Sequence, residues 1–162
     1  MSKSIGVGTL GIVAAAVTAL AQAPAPSHKV TTPESLVWGP GPPALPKGMT
    51  VAVLAGNPAQ PGPYTLRAKL PAGYTIPPHW HPTDENLTVL SGEMMVGMGE
   101  SIDAASMQTM GAGSYAVMPS PMRHYVRTKT DVLLQVHGTG PFTITYVNAA
   151  DDPRSAPPAP AT

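Results

Sequence analysis

Residues 73–92 read GYTIPPHWHPTDENLTVLSG, with His79 and His81 two positions apart and a carboxylate at Glu85. Side chains at i and i+2 of a strand point to the same face, so both imidazoles can approach one point. Downstream, His124 in GSYAVMPSPMRH offers a fourth ligand. Three imidazoles and one carboxylate suit Fe, Mn, Co, Ni, Cu or Zn. The sequence therefore predicts one divalent metal ion held by these four residues.

The same stretch resembles the first motif of the cupin family, G-x(5)-HxH-x(3,4)-E-x(6)-G. Asp84 competes with Glu85 as the carboxylate ligand, but the six residues between Glu85 and the closing glycine favour Glu85. All fixed positions of the motif are present: Gly73, His79, His81, Glu85 and Gly92.

The second cupin motif, G-x(5)-P-x-G-x(2)-H-x(3)-N, is matched in part. Gly113, Pro119 and His124 fit, whereas Pro121 stands in place of the glycine and Thr128 in place of the asparagine. Neither departure removes a ligand, so they bear on the turn and the strand end rather than on metal binding.

The resemblance covers residues 38–153 and is closest to small secreted bacterial cupins. The segments HWHPTDENLTVLSG, VHGTGPFTITYVN and DDPR carry that likeness. It implies an all-β fold, the single-domain cupin jelly-roll barrel (double-stranded β-helix), with a metal at its mouth. It also implies a homodimer as an expectation, but no single reaction, because one fold hosts many functions.

The composition agrees with a small β domain. A chain of 162 residues allows one domain with its own core. Only 11% of the residues are charged, with no basic stripe, which argues against nucleic acid as a partner. Cysteine is absent, which excludes a thiolate metal site, and the 21 prolines disfavour helices.

The chain divides into four segments. Residues 1–21 combine Lys3, an apolar stretch and small residues up to Ala21, the pattern of a cleavable signal peptide. The apolar stretch is shorter than the roughly 20 residues that span a bilayer, so we expect a periplasmic or secreted protein with no membrane association after cleavage. Residues 22–35 are predicted to be a flexible lead-in, 36–150 the barrel and 151–162 a disordered tail.

Short apolar runs bounded by Gly and Pro predict nine strands. One helical piece is predicted at 102–107. The predicted strands are 50–54, 64–70, 74–81, 87–90, 94–98, 114–118, 124–128, 132–137 and 142–147.

Alternation leaves the orientation of the strand at 132–137 open. If Leu133, Gln135 and His137 face inward, Gln135 and His137 lie near the metal and could act on substrate. If the other face is inward, His137 caps a strand end. His137 and Tyr125 are the candidate catalytic residues.

Two residue types near the ligands also have two interpretations. The nine methionines could include a thioether ligand for copper or could fill the core in place of aromatics, since the chain has one Phe. Arg123 and Arg127 could bind a carboxylate substrate or lie on the surface.

The function favoured by the sequence is a metal-dependent oxidoreductase of the dioxygenase type that acts on a small organic molecule. A lyase or isomerase, in which Tyr74, Tyr125 or His137 moves a proton, is the alternative enzyme class. A binding protein for a small ligand or for the metal is the non-enzymatic alternative. All three need the same ligands, so the sequence alone does not separate them.

Overall fold

A computed structural model describes residues 28–155, so the predicted signal peptide at 1–21 lies outside the described part. Within this range no helix is long and apolar enough to cross a membrane. A compact unit begins at Thr31. Its strands are β1 (Gly39–Pro40), β2 (Thr50–Ala55), β3 (Gly62–Leu70), β4 (Thr75–Trp80), β5 (Glu85–Ser91), β6 (Glu93–Met98), β7 (Gln108–Gly111), β8 (Tyr115–Met118), β9 (His124–Thr128), β10 (Val132–Gly140) and β11 (Thr145–Tyr146).

The strands form two antiparallel sheets. One sheet has the order β1-β2-β3-β10-β5-β8 and the other has the order β11-β4-β9-β6-β7. Successive strands β3 and β4, β4 and β5, and β9 and β10 lie in different sheets, so the chain crosses repeatedly between them. This is the jelly-roll arrangement, and the prediction of an all-β fold is confirmed.

Alternating side chains from both sheets fill the space between them. On β10, Val132, Leu134 and Val136 are buried while the intervening residues are partly exposed. Met94 and Met118 are among the largest fully buried side chains. Methionine thus takes core positions that aromatic residues would otherwise fill. This agrees with the interpretation of the methionines as core residues.

The nine predicted strands are all present, with ends shifted by a few residues. Two short strands, β1 and β7, were not predicted, and the helix predicted at 102–107 is absent: this segment is a turn. The Asp103 carboxylate accepts the Ala105 amide at 3.0 Å, and the Asp103 carbonyl accepts the Ser106 amide. Such local bonds from an aspartate compete with helix formation.

Residues 151–155, which were predicted to begin a disordered tail, contain short 3-10 helical turns. Asp151 ends one short 3-10 helix, and a second covers Pro153–Ser155. The Arg154 guanidinium donates to the Asp152 carboxylate and to the Ile144 carbonyl, which ties this segment to the barrel. Residues 156–162 lie outside the described part.

Two motif positions have clear backbone roles. Gly92 has a φ of +83°, and a side chain there would meet the Asp131 carbonyl oxygen at 2.0 Å. Only glycine fits a left-handed turn this close to another backbone. Thr128, in place of the motif asparagine, accepts the Tyr74 amide and donates to the Pro71 carbonyl. The hydroxyl therefore fixes the turn that precedes β4.

Candidate metal centre

The four predicted ligands meet where three strands begin or end. His79 lies near the end of β4 and His81 follows it, while Glu85 begins β5 and His124 begins β9. His79 and His124 are direct partners across the antiparallel pair of β4 and β9. A ligand nitrogen from each of the three imidazoles lies within 4.8 Å of the others. This three-histidine group is suited to binding a metal ion.

The imidazoles are buried, and each is oriented by its own backbone acceptor. His79, His81 and His124 are 2%, 4% and 1% exposed. Their Nδ1 atoms donate to carbonyl oxygens of Pro77 at 2.7 Å, Thr143 at 2.7 Å and Met122 at 3.1 Å, respectively. A neutral imidazole that donates through Nδ1 keeps a lone pair on Nε2. This is the supporting bond typical of metal-ligating histidines.

The Nε2 atoms point toward one another and toward Glu85. Glu85 Oε2 lies 3.5 Å from His81 Nε2 and 3.4 Å from His124 Nε2. Both of these Nε2 atoms are buried and lack a hydrogen-bond partner within the described chain. Leaving a buried polar atom unpaired is costly, so two at one point indicate a missing partner. A cation between the imidazoles and the carboxylate would satisfy both.

The electrostatics of the four groups are tightly linked. Burial, with the neighbouring His124 and His81, lowers the pKa of His79 to about 3, so this imidazole is neutral at physiological pH. Burial also acts against a charge on His81, but the adjacent Glu85 carboxylate raises its pKa above the ordinary value. Burial acts against the Glu85 carboxylate, yet the adjacent imidazoles of His124 and His81 keep its pKa well below the usual range.

The donor set fits a borderline divalent ion. Metal–nitrogen distances in such sites are about 2.0–2.1 Å, so adjacent ligand atoms lie about 3–4 Å apart. The contacts of 3.4 and 3.5 Å between nitrogen and carboxylate oxygen match that spacing. Nitrogen and hard oxygen together suit Fe, Mn, Ni, Cu or Zn and do not single out one of them.

The ligands lie in the wall of a cavity between the sheets. Its volume is about 310 Å³. The remaining lining side chains are all apolar: Pro40, Pro42, Leu45, Met49, Val51, Val53, Pro58, Ala59, Leu66, Ala68, Leu70, Ile76, Leu87, Val126, Leu134, Val136 and Phe142. A largely apolar pocket with a few convergent polar groups is the usual form of a small-molecule site.

Residues 41–49, here called the strap, cover part of this cavity. Leu45 and Met49 of the strap are lining residues. The Tyr146 hydroxyl donates to the Ala44 carbonyl at 2.8 Å, and the Tyr74 hydroxyl donates to the Pro46 carbonyl. Burial raises the pKa of Tyr146 to about 12, so its hydroxyl remains a donor. Tyr74 therefore holds the strap and does not line the cavity.

Tyr125 lies on the other face of its strand from His124. Its ring packs against Gly97, where a Cβ atom would come within 2.2 Å of the ring. Its hydroxyl accepts the Asp103 amide at 3.0 Å and is within 3.2 Å of the Asp103 carbonyl. Tyr125 thus anchors the turn that follows β6. The prediction that it acts on substrate needs correction, because it is not a lining residue.

His137 is also on an outer face. On β10 the inward side chains are Val132, Leu134 and Val136, which leaves Gln135 and His137 pointing away from the cavity. The His137 ring instead stacks on Tyr115, with 6.4 Å between centroids. The catalytic role predicted for His137 is therefore not supported, and neither is a place for Gln135 near the metal.

Neither arginine beside His124 lines the cavity. Arg123 contacts Glu100 with an Nε–Oε1 distance of 3.1 Å, and its side chain is about half exposed. Arg127 follows Val126, a lining residue, and so occupies the opposite face of β9. This agrees with the surface interpretation of both residues.

The residues that shape the cavity were not among those predicted from the sequence. Phe142 packs beside His81, with 4.8 Å between ring centroids, and Tyr64 supports Phe142 from behind at 6.1 Å. Leu45 and Met49 come from the strap. The strap is rich in Pro and Gly and has no repeating apolar pattern that would predict its position beside the ligands. The one sequence signal for the cavity was Phe142, the single Phe of the chain, which lies close to Gly138 and Gly140.

Part of the chain is similar to a known domain family. Residues 66–137, which contain all four ligands, match the family model of the cupin domain. No curated protein is significantly similar to the sequence.

Solved structures share the fold at low identity. A protein named as a candidate acetylacetone dioxygenase from Methylibium petroleiphilum has a TM-score of 0.61 and 22% identity, with 78% of this chain and 85% of that chain covered. A RmlC-like cupin from Shewanella frigidimarina has a TM-score of 0.54 and 15% identity, with 70% and 91% covered. The polyketide cyclase RemF from Streptomyces resistomycificus has a TM-score of 0.54 and 19% identity, with 65% and 75% covered. The chain thus has the cupin fold, and its residues 66–137 are similar to the cupin domain family.

Proposed function

We propose that the protein is a metal-dependent oxidoreductase of the dioxygenase type that acts on a small organic molecule. The observation that carries the proposal is the convergence of unpaired, buried Nε2 atoms of His81 and His124 on Glu85 at the wall of an apolar cavity. His79, His81, Glu85 and His124 would hold one divalent ion. A bound ion with an open position supplies Lewis-acid and redox chemistry.

The make-up of the cavity wall favours this class over a lyase or isomerase. Within residues 28–155, the only titratable side chains that line the cavity are the four ligands. Tyr74 and Tyr125 use their hydroxyls to bind backbone, and His137 lies outside. A proton-transfer mechanism needs an acid or base within reach of the substrate. Here only Glu85 could serve, and only by leaving its place among the ligands.

The chain's own residues would do three things in such a reaction. The backbone carbonyls that accept from Nδ1 fix the imidazoles, so that little reorganisation is needed. The apolar walls exclude water from the reacting atoms. The strap and Phe142 position the substrate beside the ligands. None of these roles needs a charged side chain other than Glu85.

Single-turnover oxygen uptake tests the proposal. Protein loaded in turn with Fe(II), Mn(II), Ni(II), Cu(II) or Zn(II) is mixed with a panel of neutral and anionic small molecules in an oxygen-electrode cell, and products are followed by mass spectrometry. We expect oxygen uptake equal to the protein present with at least one redox-active ion and none with Zn(II). The matched control is His28→Ala, which alters an exposed histidine outside the site.

Two results would contradict the proposal. Product formed without oxygen uptake would assign a lyase or isomerase, with Glu85 as its acid or base. Retention of a small molecule without turnover would assign a binding protein.

We also infer export, from the signal-like pattern of residues 1–21 alone. Expression of the chain with and without residues 1–21, followed by cell fractionation, tests it. We expect the full chain in the periplasm or medium in a form shortened at Ala21, and the truncated chain in the cytoplasm. Recovery of an uncut full chain in the cytoplasm would contradict the inference.

A further inference from the structure

Tyr64 lies in one row with the ligand Glu85, across three adjacent strands of the larger sheet. Gly138 of β10 is the direct partner of Tyr64 on β3 and of Glu85 on β5. Directly paired residues project from the same face of a sheet, and Tyr64 and Glu85 are both buried. The two side chains therefore flank, on the inner face, a position that has no side chain of its own.

The Tyr64 ring uses the room above Gly138. A Cβ atom at Gly138 would lie 3.2 Å from the Tyr64 hydroxyl oxygen and 3.5 Å from a ring carbon. The far end of the ring therefore leans over β10, on the side that leads to Glu85. Neighbouring strands are about 4.8 Å apart, so β3 and β5 are about 10 Å apart, a gap that the two side chains share from opposite ends.

The Tyr64 hydroxyl differs from those of the other buried tyrosines. Within residues 28–155 the buried tyrosines are Tyr64, Tyr74, Tyr125 and Tyr146. The hydroxyls of the last three contact backbone carbonyl oxygens, whereas that of Tyr64 has no hydrogen-bond partner in this range. A donor removed from water without an acceptor is costly. The Tyr64 hydroxyl therefore needs a partner that the fold alone does not give it.

Glu85 is the charged acceptor on that side of the ring. Burial, with the added effect of the Glu85 charge, raises the pKa of Tyr64. An ordinary tyrosine has a pKa of about 10, so the hydroxyl is a donor at neutral pH with or without a bound ion. Oε2 of Glu85 faces His81 and His124, which leaves Oε1 for a second partner. Carboxylates that bind metals are usually held by such a hydrogen bond.

A second acceptor lies close to the same point. The Asp84 carbonyl oxygen would be 2.9 Å from a Cβ atom at Gly138. Hydrogen bonds to a charged oxygen are roughly twice as strong as those to a neutral one, which favours Glu85 over this carbonyl.

We propose that Tyr64 is a positioning residue of the metal centre, whose hydroxyl hydrogen-bonds to Glu85, directly or through one water molecule, and holds the carboxylate in the ligand set. This inference rests on the ligand set of the proposed function and adds the group that orients its carboxylate. Tyr64 is not a lining residue of the cavity, so it acts on the ligand and not on the substrate. Gly138 belongs to the arrangement, because a larger residue would crowd the hydroxyl.

Metal titration of Tyr64→Phe tests the proposal. This variant removes the hydroxyl and keeps the ring that packs edge-on against Phe142. The affinity for Zn(II) is measured by competition with a chromophoric chelator. Tyr146→Phe is the matched control, because it removes a buried hydroxyl that binds the strap. We expect Zn(II) binding about tenfold weaker in Tyr64→Phe, the lower end of the usual loss for a group that orients a ligand, and unchanged in Tyr146→Phe.

A double-mutant cycle shows whether the hydroxyl acts through the carboxylate. Tyr64→Phe is combined with Glu85→Ala, which removes the proposed acceptor. In that background we expect Tyr64→Phe to change the Zn(II) affinity by less than about twofold, the limit of additivity for independent sites. An equal loss in the wild-type and Glu85→Ala backgrounds would overturn the inference.

The visible absorption of the Co(II)-loaded protein is a second readout, because it reports ligand geometry and not stability. We expect the spectrum to change in Tyr64→Phe and to match the wild type in Tyr146→Phe. If both the Zn(II) affinity and the Co(II) spectrum of Tyr64→Phe equalled those of the wild type, the inference would be overturned, and the Asp84 carbonyl would be the partner of the hydroxyl.

Failure of this inference differs from failure of the proposed function. If Tyr64→Phe binds Zn(II) as tightly as the wild type while metal-loaded protein takes up oxygen, the reaction class stands and the role of Tyr64 is wrong. If Tyr64→Phe behaves as expected but no ion supports oxygen uptake, the role of Tyr64 stands and the reaction class is wrong.

Discussion

The ligand set and the strap form two unlike parts of the same cavity wall. His79, His81, Glu85 and His124 lie on or directly beside paired strands, and each imidazole has its own backbone acceptor. The strap has neither paired strand nor helix over 41–49 and is held across the barrel by the hydroxyls of Tyr74 and Tyr146. The four predicted metal ligands are thus held rigidly. The strap, which shapes the space for a substrate, is held by few contacts.

This difference separates two properties that substitutions can alter independently. Loss of a ligand should remove metal and leave the cavity walls in place. Loss of a strap contact should alter binding of the substrate and leave the metal in place. Each prediction below tests one side of that division, beginning with the largest effect.

Removal of both His79 and His81 should abolish stoichiometric metal binding. In His79→Ala/His81→Ala the two remaining ligands, Glu85 and His124, offer too few donors to compete with chelating buffer. We expect metal content to fall from about one ion per chain to near zero, measured by elemental mass spectrometry after dialysis. Glu85→Ala should weaken binding less, because water can replace one oxygen ligand. Full occupancy in the double variant would show that the ion lies elsewhere.

Metal removal should lower stability without unfolding the domain. The apolar core between the sheets does not depend on the ion, unlike that of a zinc finger. A ligand at a thousand times its Kd stabilises the native state by about 4 kcal/mol, which corresponds to roughly 10 °C in Tm for a domain of this size. Chelated protein should keep its β-type circular dichroism and melt lower by about that amount. A random-coil spectrum after chelation would show that the ligand set, too, depends on the ion for its placement.

The division between the two parts also explains what the sequence could predict. The ligand set follows from local spacing: HxH places two imidazoles on one face, and a fixed count reaches Glu85. His124 was predictable from its place in the second motif, and most strand positions were predictable from short apolar runs bounded by Gly and Pro. The motif glycines, such as Gly92, likewise mark turns that no other residue fits.

The strap and the orientation of β10 were not predictable in this way. Tyr146 and Ala44 are separated by 102 residues, and no local pattern links them. On β10 both alternating sets were plausible inward faces, because Leu133 is as apolar as Leu134. The register of β10 against β3 sets Val132, Leu134 and Val136 inside. These residues pair with Leu70, Ala68 and Leu66, which line the cavity.

Loss of the strap bonds should weaken ligand binding while metal content stays constant. Tyr74→Phe and Tyr146→Phe each remove one donor from a backbone carbonyl, at a cost of about 1 kcal/mol in the free energy of unfolding. The double variant should lose about 2 kcal/mol in urea denaturation. It should also bind acetophenone, used as a small apolar probe of the cavity, severalfold more weakly. Tyr115→Phe, which removes an exposed bond to Asn86, is the matched control. A loss of metal in the double variant would show that the two parts are coupled.

The smallest effect is expected at His137, a candidate catalytic residue whose orientation the sequence left open. His137→Ala removes an imidazole that stacks on the exposed Tyr115 on the outer face of β10, away from the cavity. We expect metal content, oxygen uptake and its pH profile to match the wild type, and the free energy of unfolding to fall by less than about 1 kcal/mol. His137→Gln, which keeps a polar side chain of similar size, should behave in the same way. If His137→Ala lost oxygen uptake and changed the pH profile while metal content and stability were preserved, the outer face of β10 would have a part in the chemistry. The division of the wall into a ligand set and a strap would then have to include a third region.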